Sequence, residues 1–144
     1  MENFLSGNSI ITMAVYRIFS TLRDKAIRSD QHSEDGLSRM RADKEVLESG
    51  NINGVHSKTL RGQTSMMSGI LGGALGASIK GSQKTRAIAG TSAAIAGGIA
   101  GYQGQKYRQK RLLKNKKKNQ RYLDNIKVSF GEMSEEDFNK KWKK

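Results

Sequence analysis

The sequence predicts an all-α protein that is extended or oligomeric rather than compact and globular. Three observations carry this prediction: apolar residues recur at helical spacing near the N-terminus, two uncharged segments repeat small residues at every fourth position, and residues 104–144 are strongly basic. The apolar fraction is only 35%, against roughly 45–50% in an ordinary globular chain when glycine is counted too. We therefore expect helices that share little hydrophobic core.

Charge and composition divide the chain into four regions. We expect an amphipathic helix in residues 1–30, a polar connector in 31–61, a helical hairpin in 62–104, and a basic tail with a short terminal helix in 105–144. The chain has 26 Lys and Arg against 13 Asp and Glu, a net charge of +13. A chain this basic is expected to bind an anionic partner, either nucleic acid or an acidic membrane surface.

The N-terminal helix is predicted over residues 9–28. Its apolar residues recur at spacings of three and four: Ile11, Val15, Ile18, Leu22 and Ala26. Ile10, Ala14 and Phe19 widen the same stripe. Asn8 or Ser9 is expected to cap its start. Arg17 interrupts the apolar run, so we do not expect a spanning helix. Two interpretations stay open: the helix packs on a partner or on the rest of the chain, or it lies in a membrane interface.

The polar connector contains mixed charges and turn-forming residues. A short helix is predicted over Arg41–Glu48, ended by Gly50 at a C-cap position, and the Asn-Gly pair at 53–54 predicts a turn. His32 and His56 have no further ligand at a metal-binding spacing. We expect both to be exposed loop histidines rather than metal ligands.

The hairpin is predicted from two segments, Thr64–Ile79 and Ala87–Tyr102, each of sixteen uncharged residues, with the basic connector Lys80–Arg86 between them. Small residues at every fourth position form ridges along a helix. Such ridges let two helix backbones touch, with dispersion packing and weak Cα–H···O contacts. The glycines expected to make this contact are Gly69, Gly72, Gly73, Gly76, Gly90, Gly97, Gly98 and Gly101. The bulky residues fall on other sides: Met67, Leu71, Leu75, Ile79, Ile88, Ile95 and Ile99.

These segments are poorly suited to stand alone in water. Each contains four interior glycines, which cost about 1 kcal/mol apiece relative to alanine. Sixteen residues span about 24 Å, less than the roughly 30 Å of a hydrocarbon core. Two outcomes stay open: a hairpin that crosses a thinned bilayer with its flanking bases reaching the headgroups, or a tight αα-hairpin in a soluble bundle.

The run GILGGALGASIKGSQKTRAIAGTSAAIAGGIAGYQG resembles the glycine-zipper two-helix segments of small bacterial envelope proteins. It is also similar to the Gly/Ala-rich membrane-active segments of phage virion ejection proteins, which leave the particle and build a DNA conduit through the host envelope. The resemblance covers residues 62–104. The envelope proteins usually carry a signal with a cysteine, and this chain has no cysteine. The resemblance therefore favours the phage-like class and implies a location in the virion and the host membrane, or alternatively on the cytoplasmic side of the inner membrane.

The tail is predicted to continue the second hairpin segment as a long basic helix. Residues 104–122 contain nine bases and no acid, and the bases fall on nearly every helix face. That distribution suits DNA or anionic lipid headgroups, or a solvated flank. The residues expected to contact the anion are Lys106, Arg108, Lys110, Arg111, Lys114, Lys116, Lys117, Lys118 and Arg121. Ser134 with Asp137 predicts a capped terminal helix that carries Phe138 and Trp142 on one side.

No arrangement of residues in the sequence indicates catalysis, so we expect a non-enzymatic protein with no metal and no cofactor. The expected function is that of a phage-type virion or ejection protein. It would self-associate through the hairpin, interact with a membrane and help DNA across the host envelope, with other virion proteins as further partners. Two alternatives are a holin-like pore-forming lysis protein and a soluble, non-specific nucleic-acid-binding structural protein.

Overall fold

The structure is a computed structural model that describes residues 4–29 and 33–143. These residues form α-helices joined by short connections, without a β-strand among them, which confirms the predicted all-α class. The expected exposure of His32 concerns a residue outside the described ones. In chain order the helices are α1 (Phe4–Ser29), α2 (Glu34–Ser49), α3 (Val55–Ala77), α4 (Gln83–Lys114), α5 (Gln120–Ser129) and α6 (Glu135–Trp142).

The chain divides into two compact units. The terminal unit comprises residues 1–37 and 120–144 and contains α1, α5 and α6. The hairpin unit comprises residues 38–119 and contains most of α2 together with α3 and α4. Among the side chains that the structure describes, few apolar ones are buried in either unit. In the hairpin unit they are Met40, Ala42, Val46, Leu47 and Leu60, and in the terminal unit they are Leu123, Ile126 and Phe138.

The polar connector is more helical than its sequence suggested. The helix expected over Arg41–Glu48 is part of the longer α2, whose start is capped where the hydroxyl of Ser33 accepts the backbone N–H of Gly36 at 2.9 Å. Gly50 follows α2 with φ of 68°, which confirms its predicted role as the residue that ends the helix. His56 is exposed, but it lies in the first turn of α3 and not in a loop.

Both hairpin helices extend beyond the uncharged segments. α3 begins at Val55, ahead of the expected Thr64, and α4 begins at Gln83 because the hydroxyl of Ser82 accepts the backbone N–H of Thr85 at 3.2 Å. The connection shrinks to residues 78–82. Within it Gly81 adopts φ of 156°, a value that L side chains rarely adopt.

The tail was predicted to form one long basic helix, and the predicted length is wrong. α4 ends at Lys114, and a turn follows at residues 115–119. The side-chain amide of Asn119 donates to the carbonyl oxygen of Leu112 at 3.1 Å, which satisfies a group that a continuing helix would have bonded. The closely spaced lysines at 114 and 116–118 also repel one another along a helix.

Two predicted caps have opposite outcomes. α1 begins at Phe4, so the expected cap at Asn8 or Ser9 is wrong, and both residues lie inside the helix. Interior Asn and Ser cost a helix only a few tenths of a kcal/mol each, and they do not stop it. The predicted cap of α6 is confirmed: the hydroxyl of Ser134 accepts the backbone N–H of Asp137 at 3.1 Å.

Candidate functional site

The glycine ridges of α3 and α4 face each other across an antiparallel hairpin. Gly72 lies against Ala93, and Gly76, one turn further along α3, lies against Ala89. The contact therefore runs in opposite chain directions on the two helices. A Cβ added at either glycine would overlap the carbonyl oxygen opposite it, so the two backbones are in direct contact at these points.

The remaining predicted packing glycines line the same interface. A Cβ on Gly97 would overlap the carbonyl oxygen of Ser68, and one on Gly101 would come within 2.5 Å of the Ser68 hydroxyl. The corresponding distances for the other four are 3.1 to 3.5 Å. Those four are Gly69, Gly73, Gly90 and Gly98. The hydroxyl of Ser65 adds a hydrogen bond to the carbonyl of Gly98 at 2.8 Å.

The bulky apolar side chains of the hairpin point outward. On a helical projection they occupy the side of each helix opposite the glycines, so the two outer surfaces face away from each other. Each of the following side chains is more than half exposed: Met66, Met67, Ile70, Leu71, Leu75, Ile88, Ile95 and Ile99. We call these the outer apolar surfaces. This arrangement is the reverse of a water-soluble hairpin, in which the bulky residues face the partner helix.

The tip of the hairpin is cationic. Lys80, Lys84 and Arg86 are exposed there. The guanidinium of Arg86 donates from Nε to the carbonyl oxygen of Ala77 at 2.7 Å, and so caps the end of α3.

The base of the hairpin is held by buried polar contacts. Arg61 is 2% exposed and donates to the carbonyl of Ile52 and to the side-chain oxygen of Gln109, both at 2.9 Å. Gln109 in turn donates to the carbonyl of Ser57 at 3.1 Å. The ring of Tyr102 lies 5.5 Å from the Arg61 guanidinium. These contacts tie α3 to α4 where glycine packing ends.

The predicted anion-binding bases do not form one uniform set. Arg108 forms a bidentate ion pair with the fully buried Asp43 at 2.5 and 2.7 Å, and Arg121 pairs with Asp24 at 2.8 Å. Arg121 also belongs to the terminal unit, whereas the other bases lie in the hairpin unit. Lys106 is half-buried. The exposed bases are Lys110, Arg111, Lys114, Lys116, Lys117 and Lys118.

An open cavity of about 450 Å³ lies within this basic region. Arg108, Arg111 and Lys118 line it together with Asn115 and Asn119. The turn at residues 115–119 brings Lys118 back beside Arg108, which a continuous helix would have kept apart. Because Arg108 is paired with Asp43, the groups here that can bind a phosphate or another anion are Arg111 and Lys118, with the side-chain amide of Asn115.

In the terminal unit, α1 turns its polar side towards α5 and α6. Asp24 is buried, and besides its ion pair with Arg121 it accepts from the side-chain amide of Asn125 at 3.3 Å. Arg28 donates to Asn125 at 2.8 Å and forms an ion pair with Glu135. Hydrogen bonds and ion pairs therefore join α1 to α5 and α6, and the Arg28 guanidinium also lies 5.3 Å from the centre of the Phe138 ring.

The apolar side of α1 is consequently exposed. Ile18, Phe19 and Leu22 are 59%, 68% and 58% exposed. The described part of the predicted apolar stripe thus has no protein packed on it within the terminal unit. The side chains of Ile11 and Val15 lie outside the described ones.

Asp124 forms a second polar centre in the terminal unit. It accepts from Trp142 Nε1 at 2.9 Å, from Lys141 at 2.8 Å and from Gln120 at 3.1 Å. Burial opposes ionisation, but the bonds from Lys141, Trp142 and Gln120 outweigh it, so the pKa of Asp124 is lowered. The terminal helix α6 is thereby held to α5 through its tryptophan.

No cluster of three metal-ligating His, Cys, Asp or Glu side chains occurs among the described residues. In the same ranges, no helix combines the length and hydropathy needed to cross a bilayer. Comparison with protein families, curated proteins and solved structures gives no match to this chain.

Sequence reasoning missed the polar partners Asp24, Asp43 and Glu45. Asp43 and Glu45 lie in the connector, where the mixed charges did not indicate which residues they would pair with. Asp24 could have been recognised in the sequence, because it is the sole acid of α1 and lies on the polar side of that helix. An isolated acid facing bases elsewhere in a basic chain predicts an intramolecular ion pair.

Proposed function

We propose that this is a non-enzymatic, membrane-active structural protein, whose hairpin contacts lipid through its outer apolar surfaces and which helps DNA cross a cell envelope as part of a phage-type virion. The observation that carries the proposal is the inverted hairpin. Its small residues lie inside, against the partner backbone, and its bulky residues lie outside. Lipid is the solvent in which that arrangement is favourable.

The side chains of the outer apolar surfaces would stabilise the protein if they were covered. Burying one leucine or isoleucine stabilises a protein by roughly 1.5–3 kcal/mol, and this gain is unrealised at each position of the outer surfaces. Contiguous apolar patches of this kind on soluble proteins mark sites of interaction with a partner or a membrane.

The geometry of the two surfaces favours lipid as their cover. Because they face in opposite directions, one flat partner would cover one and leave the other exposed. A bilayer surrounds an inserted hairpin and covers both. The bases at the tip, Lys80, Lys84 and Arg86, are then in position to reach headgroup phosphates.

We also propose self-association, but through a different surface from the one that the sequence suggested. The sequence suggested oligomers built through the glycines, yet within one chain those glycines already contact the partner helix. We therefore propose that inserted copies contact one another through part of the outer apolar surfaces, while lipid covers the remainder of both surfaces.

The DNA part of the proposal is supported by the exposed bases that follow the hairpin. Six of them lie within Lys110–Lys118, a density that suits the phosphate backbone of DNA without sequence recognition. The same cluster favours a second candidate function, a soluble nucleic-acid-binding structural protein. The two candidates differ in whether the hairpin enters lipid.

Membrane extraction separates these candidates. The full chain is bound to vesicles of phosphatidylglycerol and phosphatidylethanolamine and then washed with alkaline carbonate. We expect it to stay with the membranes, and we expect the double variant Leu71→Ser with Leu75→Ser to be released. Val55→Ser is the matched control, because Val55 is 74% exposed but lies outside the uncharged segment.

Complete release of the unaltered protein by carbonate would overturn the lipid proposal in favour of the soluble candidate. A holin-like function predicts a different outcome: expression inside a bacterium would collapse the membrane potential and stop growth at a defined time.

A further inference from the structure

We propose that α1 is a second lipid-binding element, lying in the plane of an anionic membrane surface with Ile18, Phe19 and Leu22 in the headgroup–acyl boundary. This inference rests on the proposed function in one point only, which is that both take lipid as the partner. It concerns a different unit of the protein and a different mode of contact, in-plane rather than inserted.

The contacts of α1 with α5 and α6 set its orientation. An amphipathic helix in a soluble protein turns its apolar stripe to the core. Here the core side of α1 carries Asp24 and Arg28, which contact Arg121, Asn125 and Glu135 on α5 and α6. These bonds fix the rotation of the helix, so the apolar stripe is held outward.

Exposed bases border the apolar stripe of α1 on both sides. At about 100° per residue, Lys25 borders the stripe on one side and Arg23 on the other, and both are exposed. The sole acid of α1 is Asp24, which is buried on the far side. The exposed surface around the stripe is therefore apolar in the middle and positive at its edges.

This pattern identifies lipid, and not a second copy, as the occupant. Two stripes packed face to face would bring the Arg23 and Lys25 edges of both copies together, with no acid of α1 to compensate. Anionic headgroups complement the same edges, and each base near such a surface contributes about 1 kcal/mol.

The test uses tryptophan reporters in the full chain. Trp142, the single native tryptophan, is replaced by Phe, and circular dichroism checks that the helices remain. Phe19→Trp then places a reporter in the stripe. Met13→Trp is the matched control, because Met13 is 63% exposed on the opposite side of α1. Both proteins are mixed with vesicles of phosphatidylglycerol and phosphatidylcholine that carry brominated acyl chains.

We expect a blue shift and at least about threefold more quenching for Phe19→Trp than for Met13→Trp, because an in-plane helix buries one side by roughly 5–10 Å. Equal quenching of the two reporters would overturn the inference. So would a Phe19→Trp spectrum that shifts with protein concentration in buffer, because a second copy would then occupy the stripe.

A charge variant tests the edges of the stripe. Arg23→Gln with Lys25→Gln should weaken binding to these vesicles by roughly tenfold or more. The control Arg39→Gln with Arg41→Gln removes two exposed bases of α2 and should leave binding within about twofold. Equal loss in both pairs would contradict the proposal.

Failure of this inference is distinguishable from failure of the proposed function. If carbonate releases the unaltered chain completely while Phe19→Trp stays quenched, the α1 inference stands and the hairpin proposal is wrong. If the chain resists carbonate while Phe19→Trp is not quenched, the hairpin proposal stands and the α1 inference is wrong.

Discussion

Glu45 joins α2 to the start of α3 by acting as a cap from outside the helix. Gly54, at the N-cap position, has no side chain to offer, and the Glu45 carboxylate accepts the backbone N–H and the hydroxyl of Ser57 at 2.8 and 2.9 Å. It also accepts the N–H of His56 at 3.4 Å. Burial opposes ionisation of Glu45, but these bonds outweigh it and the pKa of Glu45 is lowered from 4.5.

Glu45→Gln should therefore destabilise the folded chain at neutral pH by about 1–2 kcal/mol, the usual contribution of a helix N-cap. Because the folded-state pKa is lowered, the stabilisation is present above pH 4.5 and is lost as pH falls through the lower folded value. Urea unfolding at pH 7 and pH 3 measures both effects. Glu48→Gln, which removes an exposed carboxylate of the same helix, is the control. An equal difference at both pH values would contradict the capping role.

Glycine-to-alanine changes in α3 should have opposite signs at two positions. Gly62 has open space where a Cβ would lie, so Gly62→Ala should stabilise the helix by up to about 1 kcal/mol. At Gly72 the added Cβ would overlap the carbonyl oxygen of Ala93, so Gly72→Ala should separate the helices and destabilise the hairpin. Thermal unfolding followed by circular dichroism measures both changes. Stabilisation by both would show that the helix backbones are not in contact at Gly72.

Among the elements, the sequence predicted helices better than it predicted their ends. Helical periods and small-residue ridges are local signals, and they placed α1 and the hairpin helices correctly. The start of α3 at Val55 and the end of α4 at Lys114 depend on Glu45 and Asn119. The side chain of Glu45 reaches the α3 start from a neighbouring helix, so local periodicity could not indicate it.

The orientation of α1 illustrates the same limit. The sequence showed the apolar stripe of α1 and left two possible covers for it, protein or membrane. That choice depends on Arg121 and Asn125, about a hundred positions away in the chain. Pairing over such a separation leaves no periodic signal in one sequence.

Removal of Asp24 tests how α1 is held to α5. Asp24→Ala leaves the mostly buried guanidinium of Arg121 without its carboxylate. We expect the free energy of unfolding to fall by about 2 kcal/mol, a value between those for fully buried and for exposed ion pairs. Hydrogen exchange should rise in the second half of α1. Lys25→Ala, an exposed change one residue away, is the control, and unchanged exchange in Asp24→Ala would contradict the docking role.

In both units, charged side chains are buried beside a small apolar core while other bulky apolar side chains are exposed. The hairpin unit buries Arg61 and Asp43 while Leu71 and Leu75 are exposed, and the terminal unit buries Asp24 while Phe19 is exposed. One physical condition makes both arrangements favourable, namely an apolar surrounding that covers the outer side chains. Exposed apolar side chains in both compact units support the proposed membrane partner.

The distribution of charge over the molecule makes a prediction about DNA. In the absence of lipid, the six exposed bases of residues 110–118 should give a slope of about −5 for log affinity against log salt. Replacing Lys116, Lys117 and Lys118 by Gln should reduce that slope to roughly half, because each phosphate contact contributes about −0.9. Filter binding of duplex DNA over a salt series measures the slope.

The tip bases supply the control, because Lys80, Lys84 and Arg86 are also exposed and are equal in number. Replacing them by Gln leaves the net charge identical to that of the tail variant. If a general attraction between the basic chain and DNA governed binding, both triple variants would lower the slope alike. A reduction confined to the tail variant would locate the phosphate contacts beyond the hairpin, which leaves the tip free for the membrane while DNA is bound. If the affinity of the unaltered chain for DNA does not change with salt, DNA binding is removed from the proposed function and the contacts with lipid remain.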